Sequence, residues 1–116
     1  MKKTKMIKKN YEFRNILSKG KYFSGKYIEA FIKKNNEKFN FLGIAIGVKM
    51  AKAVKRNKIK RLIRESYSSL ENDIKQGYNI VFLWKKKADI NDADFKKIKN
   101  DMKNIFYKSN IIEENI

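Results

Sequence analysis

Residues 49–64 carry three arginines, five lysines and one asparagine, with no acid among them. Within AVKRNKIKRLIRE, Ala53 to Glu65, six of thirteen residues are cations and Glu65 is the only acid. Guanidinium and ammonium groups at this density suit the binding of a polyanion rather than bond making. Arginine matters most, because its planar fork matches the oxygens of a phosphate. The chain holds four arginines, and three of them, Arg56, Arg61 and Arg64, lie here. Asn57 adds no charge. Its amide can donate to and accept from a base edge, a ribose or a backbone group, or it can cap a helix start; the sequence leaves both open.

Other chemistries lack their residues. There is no Cys and no His, which excludes disulfides, zinc held by those ligands, imidazole acid–base catalysis and a thiolate nucleophile. The twelve acids show no compact spacing for a catalytic Mg²⁺ site. Asp92 and Asp94 read instead as helix-start residues. No catalytic and no metal-ligating residue is therefore expected on the protein. The formal charge of +17, from 29 Lys+Arg against 12 Asp+Glu, repels itself and opposes folding. Nucleic acid is the first partner that would relieve it, and an anionic membrane surface the second. MKKTKMIKKNYEF lacks the apolar run of a signal peptide, and no stretch has the roughly 20 apolar residues of a membrane span. A soluble cytoplasmic protein is expected, with no membrane and no small-molecule substrate.

The elements that must position these residues follow from periodicity. The 116 residues, 42% hydrophobic, suffice for one small domain with a modest core. Residues 1–9 read as a basic arm. A first helix is predicted over Tyr11–Lys19, capped by Asn10 and closed by a left-handed Gly20; Phe13, Ile16 and Leu17 form its apolar stripe. Residues 22–34 alternate as a strand, with Gly25 as a possible bulge and a short extra strand near 21–24. Tyr27, Glu29, Phe31 and Lys33 share one face. Residues 35–38 suit a hairpin loop into a strand over Phe39–Val48. On that strand Gly43, Ala45 and Gly47 share a face, so something approaches it closely: a packed helix, or a ligand strand. A second helix takes in the basic stretch and runs through Ile74 to Gly77. Residues 78–84 read as a central buried strand. A last helix begins near Asn91, with Phe95, Ile98, Met102, Ile105 and Phe106 inward, and a frayed tail follows Ser109. The expectation is an α+β domain with a small mixed sheet of about four strands and three helices, in the order α-β-β-(β)-α-β-α.

On a wheel at about 100° per residue from Ile59, the apolar stripe spans roughly −60° to +80°, and Lys60, Arg64, Arg61 and Lys58 fall at about 100°, 140°, 200° and 260°. A solvated face usually mixes charges to gain i,i+4 pairs; this one does not. Arg56 falls near about 60°, partly toward the core, so Arg56 and Asn57 are expected at the helix's very start.

These residues resemble the bacterial ribonuclease P protein subunit. That family carries an Arg-Asn-Arg motif opening a helix, in a pattern like A-V-x-R-N-R-x-K-R-x-x-R, and Ala53 to Arg64 match it at nearly every fixed position. The likeness extends to Lys8–Phe13, Gly20 and Phe106-Tyr107-Lys108. Lys58 departs from it, replacing the second arginine without its bidentate fork. So do Val48, in place of the first of two lysines, Ala51, in place of a glycine, and Leu17, in place of a second helix-one aromatic. The resemblance implies a left-handed β-α-β crossover, against the usual hand. It implies partnership with a catalytic RNA that uses Mg²⁺ to remove the 5′ leader of precursor tRNA, the isolated protein being inactive. Lys49, Lys52, Arg56, Asn57, Lys58, Lys60, Arg61 and Arg64 would bind that RNA. Phe13, Leu17 and Phe31 would bind the leader in a cleft between sheet and helix one. For Phe13, core packing is the competing role. The rival readings are an RNA-binding protein of another assembly, such as a ribosomal protein, an autonomous metal-dependent nuclease, and a membrane-surface helix.

Overall fold

The computed structural model describes residues 1 and 3–112. The chain forms β1 (Thr4–Met6), α1 (Asn10–Lys19), β2 (Lys21–Ser24), β3 (Ile28–Lys34), β4 (Asn40–Ala45), α2 (Ala53–Leu70), β5 (Tyr78–Trp84) and α3 (Phe95–Ser109), with short 3-10 turns at Glu71–Asp73 and Ile90–Asp92. The strands make one mixed sheet of five in the order β1-β4-β5-β3-β2. β4 and β5 are parallel neighbours joined through α2, while β3 runs antiparallel to both β5 and β2.

Side-chain alternation divides the core between the two faces of this sheet. Ile28, Ala30, Ile32, Leu42, Ile80, Phe82 and Trp84 face Ile59, Ile63, Tyr67 and Leu70 of α2 and Ile98, Met102, Ile105 and Phe106 of α3. The opposite face carries α1 in a smaller cluster of Ile7, Ile16 and Val81, with Phe13, Phe31, Phe41 and Leu83 packed against it. The apolar run of β5 fits this plan: Ile80, Val81 and Phe82 are fully buried because the strand is central and covered on both sides. Tyr67 reaches across from α2 to meet Thr4 Oγ1 at 2.7 Å and Asn40 Nδ2 at 3.3 Å, tying β1 and β4 to the helix. Burial pushes its phenol pKa above the usual value.

Several expectations are corrected. The arm is in part a strand, since Thr4–Met6 pairs with β4, and the sheet has five strands rather than about four. Residues 35–38 join strands that are not neighbours, because β5 inserts between β3 and β4 by long-range pairing that the local sequence does not encode. Residues 22–34 fold as a β2–β3 hairpin, and Gly25 sits in its turn. A Cβ there would lie 2.4 Å from the Asp101 carboxylate, which accepts from the backbone N–H groups of Lys26, Tyr27 and Ile28 at 2.6, 2.9 and 2.9 Å. Tyr27 packs with Trp84 in the larger core rather than beside Phe31. Lys9, not Asn10, precedes α1, and Gly20 is extended at φ −72. Its glycine requirement is steric: a Cβ would stand 2.5 Å from the Ile16 carbonyl oxygen. α2 ends at Leu70, and the left-handed Gly77 (φ 96) turns the chain into β5. Ile74 lies beyond the helix and bridges Ile112. α3 begins after Asp94, whose side chain caps Lys96 N and Lys97 N. Past Ser109, Ile111 and Ile112 are buried rather than frayed, and residues 113–116 lie outside the described residues.

Candidate nucleic-acid interface

The basic stretch is one face of a well-packed helix. Ile59, Ile63, Tyr67 and Leu70 are buried, each worth about 1.5–3 kcal/mol of hydrophobic stabilisation. The i,i+4 repulsion of Lys60 and Arg64 costs only a few tenths of a kcal/mol, so packing decides and the helix forms despite its charge. Asn57, Lys58, Arg61 and Arg64 are exposed, and Lys60 is half-buried. The one acid on the face, Glu65, lies 3.8 Å from Arg61 with both side chains in water, a pair worth little. Lys52 precedes the helix without a side-chain cap, and no acid occupies the first turn. Free N–H groups and cations thus favour the same kind of partner, an anion. Lys49 is exposed in the connection that leads from β4 into α2.

Arg56 and Asn57 do not stand at the helix start. α2 begins at Ala53, and the Arg56 N–H already donates to the Lys52 carbonyl at 3.0 Å. Asn57 is therefore a helix-interior residue, which removes the capping role and leaves its amide free in solvent. The Arg56 guanidinium turns back on its own chain. Nη1 donates to the Ala51 carbonyl at 2.6 Å and the Val48 carbonyl at 3.2 Å, fixing the 48–51 turn that carries Lys49. Lys55 reaches Asn91 and links the first turn of α2 to the segment before α3.

Strand register arranges a second surface on the α1 side. Gly43, Val81, Phe31 and Tyr22 are Cα partners in one row across β4, β5, β3 and β2. The next row is Ala45, Leu83, Glu29 and Ser24. Phe13 lies over Gly43, where a Cβ would come within 2.6 Å of its Cζ. The small residue at 43 is thus explained by α1, the helix alternative. Phe13 and Phe31 are half-buried against the same cluster, and Leu17 on α1 is 36% exposed. Phe13 and Phe31 line one α1–sheet surface, with Leu17 one helical turn on from Phe13; the Ala45 end of that surface leads into the 46–52 segment with Lys49 and Lys52.

Sequence periodicity missed Tyr22 as a member of this surface. It is half exposed, 5.2 Å from Phe31 between ring centroids, and its hydroxyl donates to Glu29 Oε2 at 2.6 Å. Only the β2–β3 register reveals this, because Tyr22 and Phe31 are nine positions apart along the chain. Among the described residues no cluster of three or more His, Cys, Asp or Glu is placed to hold a metal ion. Among the described residues no helix is long and apolar enough to cross a membrane.

Comparison with known proteins bears on the family and the fold. The Ribonuclease P family model matches residues 1–110. The ribonuclease P protein component of Clostridium botulinum (strain 657) is 41% identical over 112 residues, covering 96% of this chain and 98% of that one. That of Clostridioides difficile (strain 630) is 37% identical over 110 residues, covering 94% and 95%. Among solved structures, the RNase P protein of Staphylococcus aureus superposes with a TM-score of 0.78 at 28% identity over 93% of this chain and 97% of that chain. The Thermotoga maritima protein gives 0.81 at 27% identity over 90% and 96%. With sequence and fold matched over nearly the whole length, and the Arg-Asn stretch on the exposed side of α2, this chain belongs to the ribonuclease P protein family.

Proposed function

We propose that this protein is the protein subunit of ribonuclease P, the endoribonuclease that removes the 5′ leader of precursor tRNA. The observation that carries the reading is the outward face of α2, where Lys58, Lys60, Arg61 and Arg64 project with Glu65 as the only acid. Lys49, Lys52 and Asn57 extend that face, and Arg56 holds the turn beside it. The face binds the phosphate backbone of the catalytic RNA, and each neutralised phosphate releases counterions. Phe13, Leu17 and Phe31 contact the single-stranded leader on the α1 side of the sheet, where aromatic rings stack on unpaired bases. The RNA carries the hydrolysis with Mg²⁺; the protein supplies binding and orientation. The assembly is cytoplasmic, where tRNA is made.

Reconstitution tests this directly. The protein alone leaves precursor tRNA intact. Added to its cognate RNA subunit at low Mg²⁺, it raises the rate of 5′-leader removal and tightens precursor over mature tRNA. An RNA activity unmoved by the protein would refute the assignment.

A further inference from the structure

The α1 face of the sheet ends, at its β2 edge, in an aromatic pair beside a carboxylate. Tyr22 and Phe31 face each other across β2 and β3, with ring centroids 5.2 Å apart and planes tilted by 53°. Tyr22 is 50% exposed. Leu17 on α1 offers no ring, and Tyr22 on β2 adds one to those of Phe13 and Phe31. The Tyr22 hydroxyl donates to Glu29 Oε2 at 2.6 Å. This bond is the main cause that raises the phenol's pKa. Glu29 lies two residues before Phe31, on the same face of β3.

Glu29 differs from the acids that have structural partners. Asp101 holds the β2–β3 turn, Asp94 and Asp89 cap helical turns, and Glu65 and Asp92 lie beside cations. Among the described residues Glu29 makes no ion pair, and its only side-chain hydrogen bond comes from Tyr22. A carboxylate here weakens the local attraction for phosphate, so the RNA backbone does not explain it. A base does. Aromatic rings stack on any base and cannot choose among them. A carboxylate accepts only, and can take two adjacent donors at once. Guanine alone among the standard bases presents such a pair, N1–H beside N2–H₂. Uracil presents one N–H between two carbonyl oxygens, which repel the carboxylate.

We propose that Tyr22, Phe31 and Glu29 form a guanine-selective subsite for the single-stranded leader, the base stacking on Tyr22 with its donor edge on the Glu29 carboxylate. This rests on the leader-binding role proposed above, and adds to it the base chosen, a ring that stacks on it and the carboxylate that chooses it.

The experiment uses the reconstituted holoenzyme and precursor tRNAs whose leaders are all uridine except for one guanosine stepped along the positions. Equilibrium binding is measured for each. At one position, or two adjacent ones, guanosine tightens binding about tenfold over uridine, in line with one bidentate base contact. Inosine, lacking the N2 amino group, loses most of that gain. Glu29→Gln brings the guanosine-to-uridine ratio close to one, because the amide offers one donor and one acceptor; Glu29→Ala does the same. The ratio is the readout, since loss of a negative charge alone tightens both leaders equally. Tyr22→Ala weakens both leaders roughly tenfold, the scale of one lost stacking contact. Leader-dependent binding with no position that favours guanosine would overturn the inference, as would a preference that survives Glu29→Gln. No tightening over mature tRNA with any leader would defeat the leader-binding role itself, and the subsite with it.

Discussion

Replacing Gly43 by alanine tests how α1 is seated on the sheet. A Cβ at this position stands 2.6 Å from Phe13 Cζ, 2.8 Å from Phe13 Cε1 and 3.2 Å from Ile7 Cδ1. Carbon atoms settle at about 3.5–4.0 Å, so the ring must withdraw by roughly 1 Å from the cluster it shares with Ile16 and Val81. Overpacking costs about 1–3 kcal/mol. Phe13 is half-buried and its ring tip can yield, which places Gly43→Ala at about 1–2 kcal/mol, a fall in Tm of roughly 4–8 °C at this chain length. Phe13→Ala alone removes the partly buried ring and costs about 2 kcal/mol, below the 3–5 of a full burial. The double variant carries the diagnosis. With the ring gone, the new methyl has room, so the two costs do not add. The coupling should recover about 1 kcal/mol or more, against the roughly 0.3–0.5 kcal/mol scatter of independent sites. Urea and thermal unfolding of the four proteins measures it. Additive costs, or an innocuous Gly43→Ala, would mean that α1 is not pressed onto β4 through Phe13.

Other substitutions separate binding from architecture. Arg61→Ala and Arg64→Ala should each lower the slope of log affinity against log salt for the RNA subunit by about 0.7–0.9, with little change in stability because both side chains are exposed. An unchanged slope would mean that they do not meet phosphate. Arg56→Ala should act differently, lowering stability by about 1 kcal/mol through the lost bonds to Ala51 and Val48; a thermal melt that matches the parent would refute that role. Asp101→Asn should cost about 2–4 kcal/mol, since three backbone N–H groups lose a charged acceptor; a stability within 0.5 kcal/mol of the parent on the same scale of loss would refute that role. Tyr67 should ionise above an ordinary phenol, because burial raises its pKa. Its raised pKa keeps the phenol neutral in the folded state, so its contribution is whole below about pH 10 and is lost as pH rises through the raised value. Absorbance titration of Tyr67→Phe against the parent identifies that group.

The helices were legible where burial has a period. The stripe of Ile59, Ile63, Tyr67 and Leu70, and that of Ile98, Met102, Ile105 and Phe106, are where the 3.6-residue repeat puts them. The apolar run of 78–84 announced a strand buried on both faces. The cation face of α2 was equally legible, because charge cannot follow the apolar stripe into the core and the wheel leaves it one side. The ends of elements were not. α2 begins four residues before Asn57 because backbone bonding from Lys52 onward needs no polar cap, and Arg56 then finds carbonyls within its own chain.

The sequence by itself determined composition, the α+β class, the faces of the helices and, through the Arg-Asn stretch, the family. These depend on neighbours within one or two helical turns. Tertiary structure decided what lies beside what. It inserted β5 between β3 and β4, made a strand of Thr4–Met6, set Phe13 on Gly43, and brought Tyr22 up against Phe31 and Glu29. Each is a matter of strand register and close approach between distant segments, fixed by long-range pairing and by the space a missing side chain leaves, and neither quantity has a period along the chain.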